Sequence, residues 1–332
     1  MSERIPHPTE PAHAPDEPGA RIVCAICHEV DTVDELAGES GPTQEFPLVR
    51  CRVCGLVFQK FTRTETELDE AQEHAYGEPE RRFGSLTETG IRLFRRARVQ
   101  MARRLLPPRG RVLDVGCGRG VFLRMLAERG HDVRGTELST ATAANACPEV
   151  PVDVGDLTPG RYQSGSFDLI SIWHVLEHAR QPDVVLRGAH EALTPDGALV
   201  LAVPNFASVQ AKVGGARWFH LDLPRHIFQF TPATLGRLLE ETGFRVERMK
   251  TGQWEMDPFG LLQTLLNRTG LRHNALYDSL RNNEVVRQDL PGWVRLALIA
   301  AFPIGMVLAI PASLLFRIMG RAGTVIVIAR PT

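Results

Sequence analysis

Four cysteines stand in two Cys-x-x-Cys pairs, Cys24/Cys27 and Cys51/Cys54, with 23 residues between the pairs. Thiolates at this spacing form two knuckles that close a tetrahedral site. The donor set points to Zn²⁺ in a structural Cys₄ arrangement, although iron in a rubredoxin-like site uses the same ligands. A closed site has no open coordination position, so such a metal holds its segment folded and does no catalysis. His28 is surplus to four thiolates. A second constellation begins at Val112-Leu113-Asp114-Val115-Gly116-Cys117-Gly118-Arg119-Gly120. It reads as a buried strand ending in glycines at alternate positions. Glycine there lets the chain turn sharply and lets a ligand approach the main chain. A dinucleotide fingerprint would need glycine where Val121 stands. Asp114 beside the loop would repel a pyrophosphate and attract a cation. Glu137 follows Gly120 by 17 residues and closes the next strand. Its carboxylate can accept two hydroxyl hydrogen bonds at once.

Proton transfer points to His174 and His178, just after a predicted strand, and to His220 and His226 in Trp218–Pro232. Each alone has an ordinary structural explanation: His174 packs beside a cofactor, and His178 bonds Glu177 or a backbone carbonyl. As a set they imply at least one catalytic member, with His174 and His220 the best placed. Arg225 could meet an acidic substrate group, or simply be a solvated surface arginine.

The elements that must position these residues alternate. Strands are predicted at Arg111–Val115, Asp132–Glu137, Pro151–Val154, Phe167–Trp173, Ala198–Val203, Phe244–Met249 and Thr324–Ala329. Helices are predicted near 119–129, 139–146, 182–193 and 232–242, with Thr194–Gly197 as a turn. This pattern implies an α/β, doubly wound, mostly parallel sheet covered on both faces. Before it come a polar, proline-rich tail at 1–20, the cysteine segment at 21–60 and a connector at 61–107 that ends in an arginine-rich helix. The sheet domain occupies 108–332 and includes an insertion at 253–321.

The G-x-G-x-G loop with its preceding acid resembles motif I of the class I S-adenosylmethionine-dependent methyltransferases. The segment Ser166–His178 resembles the fourth-strand motif of the branch containing ubiquinone-pathway O-methyltransferases, and Leu193–Leu199 matches the turn before the fifth strand. The resemblance spans about residues 90–252 and returns at the last strand. It implies a seven-stranded sheet with an antiparallel last strand, and S-adenosylmethionine as cofactor. It also implies cofactor contacts from Asp114, Gly116, Cys117, Gly118, Gly120, Glu137, Leu138, Asp156, Leu157 and Trp173. Of these, Glu137 would hold the ribose, Asp156 the adenine, and Leu157 would pack on the ring; Cys117 also reads as a small buried thiol. The implied reaction is methylation of a small-molecule, lipid-linked or glycan-linked acceptor, at oxygen rather than at carbon or nitrogen. Similar zinc knuckles precede the methyltransferase domain in some deoxysugar C-methyltransferases. Two other readings are a non-catalytic cofactor-binding module that docks a partner through the cysteine segment, and a nucleic-acid methyltransferase.

Composition bears on these readings. Lys+Arg 38 against Asp+Glu 39 gives a formal charge of -1, so no global basic field attracts nucleic acid. The chain also lacks an Asn/Asp-Pro-Pro-Tyr motif where it reads Trp173-His174-Val175-Leu176. Lysine occurs only at Lys60, Lys212 and Lys250, an arginine bias that reads as a GC-rich bacterial genome. The first twenty residues hold no apolar leader core, which sets the expectation of a cytoplasmic protein. Leu296–Phe316 is uncharged for 21 residues, long enough to cross a bilayer. A single crossing would strand the last sheet strand on the far side. Pro303 and Pro311 therefore predict a bent or re-entrant pair of short helices. These would make peripheral membrane contact through 293–320, cover an apolar substrate, form a dimer face or pack on the domain.

Overall fold

The computed structural model describes residues 22–36, 46–60, 95–280 and 290–332. The expected tail at 1–20 and the connector up to residue 94 lie outside the described residues.

The larger sheet is built from β4 (Arg111–Val115), β5 (Asp132–Glu137), β6 (Val152–Val154), β7 (Phe167–Trp173), β8 (Leu193–Pro204), β10 (Phe244–Thr251) and β11 (Thr324–Pro331). Its seven strands run in the order β10-β11-β8-β7-β4-β5-β6. The β4–β8 strands pair in parallel, and β11 is antiparallel to both β8 and β10. The apolar runs of β4 and β7 fit a sheet buried on both faces. Because side chains alternate along a strand, Leu113, Val115, Ile170 and Ile172 enter one core with Leu186 and Leu235. Val112, Leu169 and Trp173 enter the other with Val99, Ala102, Phe122 and Leu126. Val99 and Ala102 come from the arginine-rich helix over residues 95–103.

Two details depart from the sequence expectation. Thr194–Gly197 is not a turn outside the sheet. The register jumps from Phe167↔Leu193 to Leu169↔Ala198, so the Pro-Asp-Gly chemistry is expressed as a bulge within β8. In addition, Gly292–Ile318 is one helix of 27 residues with Pro303 and Pro311 inside it, not a pair of short helices. Each proline removes one backbone bond, but the leucine- and alanine-rich turns around them carry the helix through. The excursion that contains this helix leaves and re-enters the sheet at one point. Thr251 is paired with Val325, and the Gly252 amide donates to the Thr324 carbonyl at 2.9 Å.

The cysteine segment supplies β1 (Val33–Leu36), β2 (Leu48–Cys51) and β3 (Val57–Gln59) of a second, antiparallel sheet. Its fourth strand is β9 (Phe228–Gln229), which belongs to the histidine-bearing loop. Cys24, Val49 and Phe58 share a continuous core with Phe228 and Leu176. A segment too short for a core of its own is thereby packed onto the larger sheet.

Gly135 of β5 faces the glycine loop, where an added Cβ would sit 2.4 Å from Cys117 Sγ. Gly135→Ala is expected to destabilise the fold by about 1–3 kcal/mol through overpacking, with part of the loss recovered by adding Cys117→Gly. Paired thermal melts of the single and double variants check this.

Candidate cofactor and catalytic site

The loop after β4 takes three left-handed turns, with φ of 65° at Gly116, 55° at Gly118 and 68° at Gly120. A side chain at Gly116 would also run into Val175, 2.4 Å away, whereas the Cβ position of Gly118 is open space. The loop is therefore closed on the Val175 side and open at Gly118, a cradle in which a ligand can lie against the backbone. Glu137 ends β5 beside it. Its Oε2 accepts the Gly118 amide at 2.9 Å and its Oε1 accepts the Leu138 amide at 3.0 Å. These bonds fix the carboxylate at the lip of the loop.

Asp114 lies behind the lip, 5% exposed. It is the register partner of Ser171 across β4 and β7, and the Ser171 hydroxyl donates to its Oδ1 at 2.5 Å. Burial pushes the Asp114 carboxyl up to about 7, against the lowering pull of Ser171 and of the Arg98 and Arg95 charges. A cation bound here would recover the ionised form. Trp173, at the end of β7, has an indole Nε1 that is buried without a hydrogen-bond partner among the described residues. The Arg98 guanidinium covers its ring at 4.6 Å, and Arg98 is held by Glu255 at 2.7 Å. With Arg98 committed in this way, the arginine-rich helix offers a smaller phosphate grip than its composition suggests.

The remaining expected cofactor residues fall in two groups. Asp156 accepts the Leu157 amide at 2.8 Å, and burial raises its pKa above the usual carboxylate range. Leu138 is exposed at the rim, beside Glu137. Leu157 is fully buried in the core with Ile170 and Leu186, and Cys117 is half-buried against Gly135. Leu157 thus belongs to the core behind Asp156, with no surface free to pack on an adenine ring, and Cys117 to the packing under the loop.

His174 follows β7 in a left-handed conformation, φ 56°, its amide donating to Ala202 O at 2.8 Å. A non-glycine residue in this region stores about 1–3 kcal/mol and persists only where its surroundings demand it. Its Nε2 is 2.8 Å from Gln253 Oε1 and its Nδ1 3.4 Å from Glu177 Oε1. Gln253 donates through Nε2 to Glu255 at 3.2 Å, which orients the amide so that Oε1 accepts from His174. Burial lowers the His174 pKa, but the Glu177 carboxylate 3.4 Å away outweighs it and the net shift is upward. Glu177 itself is 1% exposed. Burial alone would raise it, yet His174, then the charges of His178 and His226, hold it below the usual carboxylate range.

The other histidines are placed differently. His178 Nδ1 meets the Arg225 carbonyl at 2.9 Å and His226 Nδ1 the His220 carbonyl at 2.7 Å. His220 is buried between Trp218 and Phe219 and lies against Gly260, and burial, then the His174 charge, lowers it to about 3. Its ring is neutral and enclosed. Arg225 bonds Asp222 at 2.6 Å. Sequence reasoning thus brought His174 to the strand end but missed Ser171, Gln253, Arg98 and Glu255. Serine in the middle of an apolar strand was the readable signal for Ser171. The Gln253 and Glu255 partnerships depend on long-range packing.

The four cysteine sulfurs lie within 4.8 Å of one another. Cys24–Cys54 is 3.4 Å and Cys27–Cys51 is 3.5 Å. A Zn–S distance of about 2.3 Å places tetrahedral sulfurs ~3.8 Å apart, so the preformed cluster fits a four-thiolate metal.

Residues 86–248 match the family described as a methyltransferase domain. Ubiquinone biosynthesis O-methyltransferase of Pseudomonas aeruginosa (strain UCBPP-PA14) is 30% identical over 151 residues, 41% of this chain and 65% of the relative. Its counterpart in Xanthomonas axonopodis pv. citri is 33% identical over 160 residues, 43% of this chain and 66% of the relative. The chain thus spans just under two-thirds of the length of these relatives. A solved structure of a sarcosine dimethylglycine methyltransferase from Galdieria sulphuraria aligns at 14% identity with a TM-score of 0.49, over 80% of this chain and 98% of its own. Residues 86–248, just under half of the chain, thus carry a methyltransferase domain. The similarity of that domain runs to the ubiquinone-pathway O-methyltransferases.

Two outcomes follow for donor binding. Glu137→Ala is expected to weaken S-adenosylmethionine about 10- to 100-fold, the scale of a charge-assisted hydrogen bond, with an unchanged thermal melt. Donor affinity is also expected to fall as pH drops through about 7, because Asp114 becomes neutral below that value, and Asp114→Asn should flatten the profile. Calorimetric titrations at several pH values measure both.

Proposed function

We propose that this chain transfers a methyl group from S-adenosylmethionine to a hydroxyl of a small or lipid- or glycan-linked acceptor in the cytoplasm, with His174 as general base and a structural Zn²⁺ in the four-cysteine site. When bound, the donor supplies an electrophilic methyl group on a sulfonium. The chain's own residues do the rest. Asp114 and the open side of the glycine loop suit a cationic ligand, and Glu137 at the lip suits the two ribose hydroxyls. Cys24, Cys27, Cys51 and Cys54 would hold the metal and cross-link the cysteine segment, whose β3 pairs with β9 of the histidine-bearing loop.

The observation that carries the reading is the Gln253–His174–Glu177 arrangement, a partly buried imidazole set at the carboxyl end of β7 between an amide oxygen and a carboxylate. An acceptor hydroxyl that takes the place of Gln253 Oε1 meets Nε2, which accepts its proton in the tautomer that carries the ring hydrogen on Nδ1, toward Glu177. Glu177 then stabilises the imidazolium that forms, as a carboxylate does for a catalytic histidine. The names of the similar proteins support oxygen as the methylated atom.

The base must be neutral to act, and its pKa is raised. kcat/KM is therefore expected to climb as pH rises through a value above the ordinary histidine range and to level off beyond it. His174→Ala should lower kcat about 10²- to 10⁴-fold with donor affinity nearly unchanged. Glu177→Gln should move the limb to lower pH, because it removes the charge that favours imidazolium. A flat profile, or a His174 variant with full activity, would remove the base role. For the metal, one equivalent of zinc by atomic emission is expected in the wild type. Cys51→Ser should lose the metal and lower the melting temperature.

A further inference from the structure

The helix Gly292–Ile318 is not a buried core helix: only Ala309 and Ser313 along it are buried. Its two faces differ sharply. Leu298, Phe302, Gly305, Ala309, Ala312 and Phe316 recur at alternating three- and four-residue steps, and all are buried or half-buried. This stripe packs on the helix Asp257–Asn267, where Phe302 meets Phe259 at 6.2 Å and Gly305 lies so close to Leu262 that a Cβ would come within 2.8 Å. The helix, ~40 Å long at 1.5 Å per residue, therefore lies against the protein through this stripe.

The outward face is exposed and wholly apolar. Leu296, Ile304, Val307, Leu308, Leu315 and Ile318 are each at least 53% exposed. From Leu296 to Leu315 no exposed position carries a charged or hydrogen-bonding side chain. A strip of this length on a soluble surface marks an interaction site. The sequence outside the described residues (1–21, 37–45, 61–94 and 281–289) is polar and contains no uncharged apolar run to match it. A second copy fits poorly. The helix carries Arg295 and Arg317 and no acidic residue, so an isologous contact would set like charges together. Exposed Arg321 just beyond one end of the apolar strip, with exposed Trp293 at the other, complements anionic headgroups above acyl chains. A single crossing is excluded because the insertion starts and ends at the paired Thr251 and Val325.

The strip also borders the candidate site. Ser313, Leu314 and Arg317 line a small cavity with Gln253 and Trp254, and Gln253 is the residue that holds His174. We propose that Gly292–Ile318 lies in the plane of an anionic lipid bilayer with its outward face among the acyl chains, and that the acceptor is an amphiphile whose reactive head reaches His174 past Leu314. The docking half stands on the helix alone; the acceptor half rests on the methyl-transfer reading above.

The test uses the full chain and sucrose-loaded vesicles of phosphatidylcholine with phosphatidylglycerol. The wild type is expected to sediment with them, and Ile304→Glu/Leu308→Glu to bind at least 10-fold more weakly with an unchanged melt, since both sites face outward. No sedimentation of the wild type, or equal binding by the variant, overturns the docking. So does a wild-type dimer that the variant turns into monomer without any vesicle binding. For the acceptor, tritium from methyl-labelled S-adenosylmethionine is expected in the organic-solvent extract of native membranes, and less of it with the double variant. Label confined to water-soluble products, or none from a preparation that binds the donor, overturns that half. Calorimetric donor affinity in the same preparations reports separately on the methyl-transfer reading, because failure to bind the donor would sink that reading and leave the docking result standing.

Discussion

The candidate site depends on one buried carboxylate. Asp114 sits within the parallel sheet, held by the Ser171 hydroxyl one strand away. Burying a carboxylate with so few partners is unfavourable, and its raised pKa expresses that. A ligand that brings positive charge removes the penalty, so the apo protein is poised for such a ligand and poorly suited to an anionic one. The glycine loop gives that ligand a bare backbone to approach, and Glu137 is pinned at the lip by the loop's own amide. Strand register accounts for all three placements, since Asp114 pairs with both Gly135 and Ser171.

A second set of constraints converges on His174. Glu177 holds its Nδ1 side, and the Phe228 amide bonds the Glu177 carbonyl at 3.2 Å. Phe228 belongs to β9, which pairs with β3 of the cysteine segment. A four-thiolate metal that fixes the cysteine segment would therefore also fix the floor beneath the candidate base. The far side of His174 is set by Gln253, at the start of the insertion that carries the apolar helix. The two features outside the methyltransferase domain match, the cysteine cluster and the long helix, thus approach the same histidine from opposite sides.

Much of this architecture was legible in the sequence. The boundaries of β4 and β7 follow from apolar runs closed by Gly116 and the His174 turn, β5 follows from its place one helix after the loop, and the loop chemistry follows from three glycines beside one acid. Local signals fail where tertiary pairing decides. The Pro-Asp-Gly stretch reads as a turn, but the neighbouring strand draws it into the sheet as a bulge. Pro303 and Pro311 read as helix breaks, but the helix packs on Asp257–Asn267 through Phe302 and Gly305 and continues through both prolines. Gln253 and Arg98 carry no motif, and their roles exist only because the insertion and the arginine-rich helix meet above Trp173.

The central claim is that the pocket at Asp114, Gly118 and Glu137 takes a cationic adenosyl donor. Isothermal titration of the purified wild type with S-adenosylmethionine and, in parallel, with a nicotinamide dinucleotide tests it most directly. One-to-one binding of the sulfonium, with no heat from the dinucleotide, is the predicted result. Binding of the dinucleotide, or silence toward both, would contradict the account.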